Sequence, residues 1–294
     1  MKIRFIFNPH SGQNRKNPYL FDRAVKFIAA NKLDGSIVAT ERPRHATDLA
    51  RGAIDDGCGL VVAIGGDGTM NEVASALVNT PAVFGLIPCG SGNGLGRHLG
   101  IRRPGHGAFR TLLDGRPLAI DCGLVNNNPF FCAAGAGFEA LIASRFSQLT
   151  SRGFSGYLRT GATAWWNYQP EWYVVHHSKG VNRVEAFTLA IANSSQYGNN
   201  AYIAPGASVH DGLLDITAVP RVNLLTAGPL LWRLFNGSID RVASVTRLQD
   251  STFTIEREKP GWIHTDGEPR ATTARLEISL KPQSLRIMVP AGSP

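Results

Sequence analysis

A doubly wound α/β domain on a mostly parallel sheet, followed by a second, mostly antiparallel β domain, is the fold class this sequence predicts. Three observations predict it. Apolar runs of strand length alternate with helical periods from Ile3 to Ile87. Turns of small residues, rich in glycine, close three of those runs. Beyond Asp121 the alternation gives way to short β-like runs separated by turn signals.

The elements follow in order. Ile3 to Phe7 reads as a short buried strand, closed by Asn8-Pro9-His10-Ser11-Gly12. Phe21, Ala24, Val25 and Ile28 recur at helix spacing, and Ser36 to Thr40 reads as a second strand. Ala46, Leu49, Ala50, Ala53 and Ile54 form a second amphipathic period. Leu60 to Ile64 is continuously apolar, as a strand buried on both faces must be. After Gly65-Gly66-Asp67-Gly68 comes a third helical period at Met70, Val73, Ala74, Leu77 and Val78. Val83 to Ile87 is a fourth strand, ended by Pro88. This order implies a parallel sheet with helices on both faces.

Past a boundary expected near residues 121 to 126, β-like runs lie at Pro129 to Cys132, Trp172 to His176, Ala186 to Ala192, Leu213 to Val219, Thr252 to Glu256 and Ala274 to Leu280. Helical insertions are expected around Glu139 to Phe146, Gly156 to Trp166 and Leu224 to Phe235.

The 294 residues are 43% hydrophobic and 18% charged, a globular composition. The longest apolar stretch, Val222 to Phe235, is interrupted by Asn223, Gly228, Pro229 and Arg233 and is shorter than the ~20 residues of a spanning helix. The N-terminus reads as a strand and not as a signal peptide, so a cytoplasmic protein is expected. The four cysteines, Cys58, Cys89, Cys122 and Cys132, lack zinc spacing and are expected to be reduced. A formal net charge of +8 favours anionic partners. No nucleic-acid fingerprint is present, and no nucleic-acid partner is expected.

Gly65-Gly66-Asp67-Gly68-Thr69, with Asn71 and Glu72 beyond it, carries the strongest chemical signal. Glycines between a buried strand and a helix start let the backbone approach a bulky anion. The helix N-terminus supplies aligned N–H groups and a favourable dipole. Asp67 holds Mg²⁺ through water or orients a neighbouring group. A plain Asp-Gly turn with a Thr cap explains Gly68 and Thr69 but not the preceding Gly-Gly. A second glycine turn, Pro88-Cys89-Gly90-Ser91-Gly92-Asn93-Gly94, ends another strand, and in a doubly wound sheet such ends gather on the ligand-binding edge. A Walker loop is excluded because no Gly-Lys pair occurs. The dinucleotide fingerprint fails because Leu95 and Arg97 stand where its last glycine belongs.

These residues together resemble the diacylglycerol kinase catalytic family, which includes sphingosine, ceramide and bacterial lipid kinases. Asn8-Pro9-x-Ser11-Gly12, the GGDGT stretch with Asn71-Glu72, Gly90-Ser91-Gly92-Asn93, Asp121, Asn193, Ala204-Pro205, Asp211-Gly212-Leu213-Leu214-Asp215 and Asp266-Gly267-Glu268 occur in family order over nearly the whole chain. GGDGT alone is shared with NAD kinases. The resemblance implies an ATP-binding α/β domain over residues 1–124, to which 284–294 return. A β-sandwich-like lipid-substrate domain is implied over 125–283. It implies ATP and Mg²⁺ as cofactors. ATP contacts fall on Asn8, Thr40, Gly65, Gly66, Asp67, Gly68, Thr69, Asn71, Glu72, Gly90, Ser91, Gly92 and Asn93. The catalytic base falls on Asp266, with Glu268 and Asp67 as further catalytic carboxylates. A structural Mg²⁺ falls on Ser208, Asp211 and Leu213, with Asp121 a candidate for the metal network. Many bacterial members carry Asp where this chain has Gly94.

Simpler readings stand beside these roles. Asp266-Gly267 is also a strong hairpin signal. Asp211-Gly212 is also a surface turn, Asp121 is also a turn cap, and Thr40 is also a strand end. Arg152, Phe154, Tyr157, Arg159, Trp165 and Trp166 suit a membrane interface. Leu224, Leu225, Leu230, Leu231, Trp232 and Leu234 suit an acyl groove; ordinary core packing explains either set. The function implied is transfer of the γ-phosphate of ATP to a lipid hydroxyl. The lipid is met transiently at the inner face of the membrane, with a homodimer possible. An NAD-kinase-type phosphotransferase and a non-catalytic nucleotide or lipid sensor are the alternatives.

Overall fold

Leu60–Gly65 is buried at all six positions, the environment that its continuous apolar run requires. The structure is a computed structural model that describes residues 1–15, 19–101, 106–147, 164–165, 168–221 and 224–293. The chain divides into one unit of Met1–Cys122 with Pro282–Pro294 and a second of Gly123–Lys281.

In the first unit, β1 (Ile3–Phe7), β2 (Gly35–Ala39), β3 (Leu60–Gly65) and β4 (Val83–Pro88) pair in the order β2-β1-β3-β4. All three pairings are parallel; Ile3 lies opposite Gly35 on one side and Leu60 on the other. The last part of β16 (Arg275–Val289) adds beside β4, with Arg286 opposite Val83. The intervening helices are α1 (Tyr19–Ala30), α2 (His45–Asp55), α3 (Asp67–Leu77), the short α4 (Gly94–His98) and α5 (His106–Asp114). Leu20 and Ala24 of α1 and Ala108, Phe109 and Leu112 of α5 pack with Phe5, Leu60, Val62 and Ile64 in one core. Full burial of one such large side chain stabilises the unit by ~1.5–3 kcal/mol.

The second unit is antiparallel. One sheet runs β12 (Thr246–Asp250), β11 (Leu214–Val219), β10 (Thr188–Ala192), β7 (Ala133–Gly137), β14 (Gly261–Thr265), β15 (Glu268–Thr272). The other runs from β9 (Gly180–Ala186) through β8 (Glu171–His177) and β13 (Phe253–Arg257) to the first part of β16. Beside them, β6 (Asn128–Phe130) pairs with the end of β5 (Arg116–Val125). Ala136, Ile191, Ile216 and Ile263 from the first sheet meet Tyr173, Val175, Ile255 and Leu276 from the second in a shared core. That is a sandwich. Two α-helices of this unit are α6 (Phe138–Ser147) and α7 (Leu224–Phe235), and short 3-10 turns lie at Gly12–Arg15 in the first unit and Ile239–Arg241 in the second.

Several expectations shift in detail, and the run at Ala186 to Ala192 is divided between the end of β9 and β10. The run at Pro129 to Cys132 is not one strand: β6 stops at Phe130, and Phe131 and Cys132 form a bend before β7. Of the insertion expected at Gly156 to Trp166, only Ala164 and Trp165 are described. Arg152, Phe154, Tyr157, Arg159 and Trp166 lie outside the described residues.

Candidate active site

Three turns of the first unit meet at the carboxyl ends of β1, β3 and β4. Their contacts are those of bare backbone. A Cβ on Gly66 would lie 3.2 Å from the Gly90 Cα and 3.0 Å from Ser11 Oγ. One on Gly12, whose φ is +47°, would lie 1.9 Å from the Cys89 carbonyl oxygen. At Gly12 only glycine fits, and at Gly66 a Cβ would press its neighbours apart by a few tenths of an ångström. Hydrogen bonds close the cluster. Asn8 donates its backbone N–H to Ile64 O (3.0 Å), and Cys89 donates to Gly65 O (2.8 Å). Asn8 Nδ2 donates to Thr69 Oγ1 at 2.8 Å. Asn14 Nδ2 donates to Asn8 O at 2.9 Å and approaches Cys89 Sγ at 3.2 Å. Burial pushes the Cys89 thiol up to about 11, against hydrogen bonds from Ser11 and Asn14 that lower it.

Helix α3 begins at Asp67, and its N-cap Gly66 offers no side-chain hydrogen bond. An anion at such a terminus meets backbone N–H groups and the positive end of the helix dipole. A Cβ on Gly90 would stand 3.7 Å above the Asp67 nitrogen, so glycine there keeps the approach open.

The Asp67 carboxylate holds neighbouring backbone. Its Oδ2 accepts the Asn93 N–H and its Oδ1 the Gly94 N–H, each at 2.9 Å. The carboxylate thus caps α4 and holds the second glycine turn against the first. Asn93 locks that turn internally: Oδ1 accepts the Gly90 N–H (2.9 Å) and Nδ2 donates to Gly90 O (2.7 Å). Glu72 likewise holds backbone, accepting N–H bonds from Arg44 (3.3 Å) and Ala46 (3.1 Å) at the start of α2. That helix lacks a side-chain cap of its own, because Arg44 at its N-cap offers none. Asn71 is buried and accepts from Ser75 Oγ. Thr40 is buried and donates its N–H to Phe7 O at 2.9 Å, extending the β1–β2 ladder. Gly68 and Gly92 are half-buried, and Ser91 is exposed.

In the second unit, Asp266 and Gly267 are the two loop residues of the β14–β15 hairpin, with φ of +49° and +85°. That is primed-turn backbone, which a two-residue hairpin favours. The Asp266 carboxylate turns inward and accepts N–H bonds from Phe131 (3.0 Å), Cys132 (2.8 Å) and Ala133 (3.1 Å). The hairpin reading is therefore realised, and Asp266 is 8% exposed. Glu268 is exposed.

Sequence reasoning missed two features. The bend at Phe131–Ala133 that presents three amides to Asp266 has no side-chain signature. His264 faces Glu139 of α6, with Nε2 3.6 Å from Oε1, both side chains nearly buried. Gly267 donates its N–H to His264 Nδ1 (3.3 Å). Glu139 and His264 stand 125 residues apart in sequence, which a helix and a hairpin bring together.

The metal candidates are divided between the two units. Asp121 is fully buried in the first unit, where Oδ1 accepts the Gln283 N–H at 2.7 Å. In the second unit Asp211 is exposed, and its Oδ1 accepts the Leu213 N–H at 3.1 Å in an Asx turn; Ser208 Oγ lies 3.3 Å from His210 Nδ1. Among the described residues no group of three or more His, Cys, Asp or Glu could hold a metal. The Ser208–Leu213 loop offers one carboxylate, a hydroxyl and backbone carbonyls, hard oxygens of the kind Mg²⁺ takes.

An α/β unit with small-residue turns at its strand ends, followed by a β-sandwich unit, defines the class of protein. The family described as the diacylglycerol kinase catalytic domain matches residues 2–125. The YegS C-terminal NAD kinase beta sandwich-like domain matches residues 132–289. A protein of Chromohalobacter salexigens named as a probable YegS-like lipid kinase is 31% identical over 251 residues, covering 83% of this chain and 80% of that one. A diacylglycerol kinase of Staphylococcus epidermidis is 26% identical over 271 residues, covering 91% and 85%. The crystal structure of a diacylglycerol kinase from Bacillus anthracis superposes with a TM-score of 0.75 at 18% identity, covering 100% and 98%; at that identity the likeness is one of fold. The chain belongs to the diacylglycerol kinase catalytic family, a family of lipid kinases.

Proposed function

We propose that this protein is an ATP-dependent kinase that transfers the γ-phosphate to the hydroxyl of a lipid at a membrane surface. The observation that carries this reading is the backbone contact among Gly12, Gly66 and Gly90 beside the uncapped start of α3. It shapes a cradle for a polyanion where side chains would otherwise fill the space. Family membership supplies the kinase chemistry and the lipid class of acceptor.

In this reading the first turns of α3 and the Gly90–Asn93 loop hold the phosphates of ATP. Thr40, Asn71 and Ser91 border the nucleotide. Asp67 keeps the second glycine turn in register rather than touching phosphate itself. Asp266 takes the proton of the acceptor hydroxyl as its oxygen attacks the γ-phosphorus and ADP departs. Mg²⁺, when bound, supplies charge neutralisation on the phosphates; Ser208, Asp211 and Leu213 would hold a separate structural ion. Residues 1–124 with 284–294 serve the nucleotide and 125–283 the lipid.

The full chain incubated with labelled ATP and Mg²⁺ tests this directly. Diacylglycerol, sphingosine, ceramide and a polyprenol are offered in mixed micelles, with NAD as a soluble acceptor. Label is expected in one lipid. Label in NAD alone, or in no lipid, refutes the reading.

A further inference from the structure

Leu224–Phe235 is a 12-residue helix containing no acidic residue. Its inner side is anchored: Leu230 and Leu234 pack against the cluster of Ala190, Ala192, Ile203, Ala204 and Ile239. Its outer side is apolar as well. Leu231 is 53% exposed, Trp232 66% and Phe235 47%. At 100° per residue these three, with Gly228, fall on one uncharged arc opposite Leu230 and Leu234. Nine large apolar side chains are exposed among the described residues, and three of them are here. Elsewhere the exposed rings stand singly, and Arg183 lies over Trp172 at 4.6 Å. Core packing, the bland account of the leucines, explains Leu230 and Leu234 and leaves the outer arc unexplained.

We infer that this outer arc of α7 docks on an anionic lipid surface, with Leu231, Trp232 and Phe235 entering the headgroup–acyl boundary. The inference deepens the lipid-acceptor reading and rests on it for its purpose. The helix is too short to cross a bilayer and has the form of one that lies in the interface plane. An indole at such a boundary keeps its ring apolar and its N–H wet. Arg233 lies on the side of the helix away from the arc, but Arg221 and Arg241 are exposed just before and after the helix, where Asp240 is the acidic residue; the whole chain carries +8. This charge matches anionic headgroups. A second copy fits worse. Half-exposed, three such side chains offer roughly 300 Å², well under the ~800 Å² per partner of a stable interface. A two-fold contact would also bring the flanking arginines together.

Sedimentation of the full chain with vesicles tests the surface. Phosphatidylcholine vesicles with and without 30% phosphatidylglycerol — about that fraction gives a strongly anionic surface — are compared for wild type, Trp232→Ser, and Leu231→Ser with Trp232→Ser and Phe235→Ser together. Wild type is expected to bind anionic vesicles, less so as salt rises. Trp232→Ser is expected to bind several-fold more weakly, and the triple variant at least tenfold more weakly, with unaltered thermal melting. No wild-type binding, equal binding to neutral vesicles, or unchanged binding of the triple variant overturns the inference. So does light scattering that shows a dimer which the triple variant abolishes, because the occupant is then a second copy. Transfer to a water-soluble short-chain acceptor is measured in parallel. Vesicle binding that needs α7 without transfer to any lipid upholds the docking surface and removes the lipid-kinase reading.

Discussion

Asp266→Asn separates what the carboxylate holds from what it does. The native side chain accepts three backbone N–H bonds, from Phe131 at 3.0 Å, Cys132 at 2.8 Å and Ala133 at 3.1 Å. Asparagine has the same shape but one acceptor oxygen. If that oxygen keeps Cys132 and Ala133, the new NH₂ points at the Phe131 N–H, donor against donor. Leaving that buried amide unpaired costs ~1–3 kcal/mol. The two remaining bonds lose their charge assistance and about half their strength. A total of ~3 kcal/mol follows, which for a unit of this size lowers the Tm by about 6–12 °C. Calorimetry of the full chain measures it. Phosphate transfer, assayed well below the lowered Tm, is expected to fall ~100-fold or more in kcat, the worth of a general base. The KM for ATP should stay within about threefold of wild type, because a lost base changes the chemical step and not ground-state binding. Glu268→Gln is the control: Glu268 is exposed, and its replacement should move stability by under ~0.5 kcal/mol. An unchanged Tm for Asp266→Asn would refute the amide cluster; an unchanged kcat would remove Asp266 from the chemistry.

Asp67→Ala removes both acceptors that hold Asn93 and Gly94; it should cost ~2 kcal/mol and raise the KM for ATP at least ~tenfold through a loosened turn, read by steady-state kinetics. Glu72→Ala, by contrast, removes a cap on α2 and should cost ~1 kcal/mol in urea titration, with ATP binding nearly unaltered. Gly12→Ala places a Cβ 1.9 Å from the Cys89 carbonyl on a +47° backbone; a loss of ~2 kcal/mol or more and of ATP-dependent thermal protection is expected in differential scanning fluorimetry. Burial raises the Cys89 thiol from the usual 9 to about 11. The unfolded chain therefore ionises this thiol first, and its stabilising contribution, complete below pH 9, is lost as pH rises toward 11. The urea midpoint of wild type should fall across that window more than that of Cys89→Ala, and Cys89 in the folded protein should resist alkylation at pH 8.

The α/β unit was legible because its strands are buried on both faces. Leu60 to Ile64 is apolar at every position, and no tertiary context is needed to read it. In the antiparallel unit two kinds of run were legible: the mostly apolar β10 and β11, and the alternating β8, β13 and first part of β16. β9, β12 and β15 were not read, since Thr-Arg-Leu-Gln-Asp and Glu-Pro-Arg-Ala-Thr are mostly polar and Gly-Val-Asn-Arg-Val-Glu-Ala carries Asn, Arg and Glu among its seven positions. Each of β9, β12 and β15 ends its sheet, where one edge has no partner strand in the described order. The glycine turns were visible because glycine is itself the signal for close backbone approach. The contacts between them were not, because a Cα meeting a Cα leaves no pattern in either segment.

The same blindness explains the carboxylates. Composition suggests that an aspartate beside a glycine turn faces ligand or metal, yet Asp67 and Asp266 both reach across to backbone amides of another segment, and Glu72 does so too. Backbone N–H groups are invisible in a sequence because every residue but proline has one. This gives the departure at Gly94 a physical meaning. What Asp67 grips at that position is the amide, not the side chain. The grip on the second turn therefore does not depend on which side chain stands at position 94.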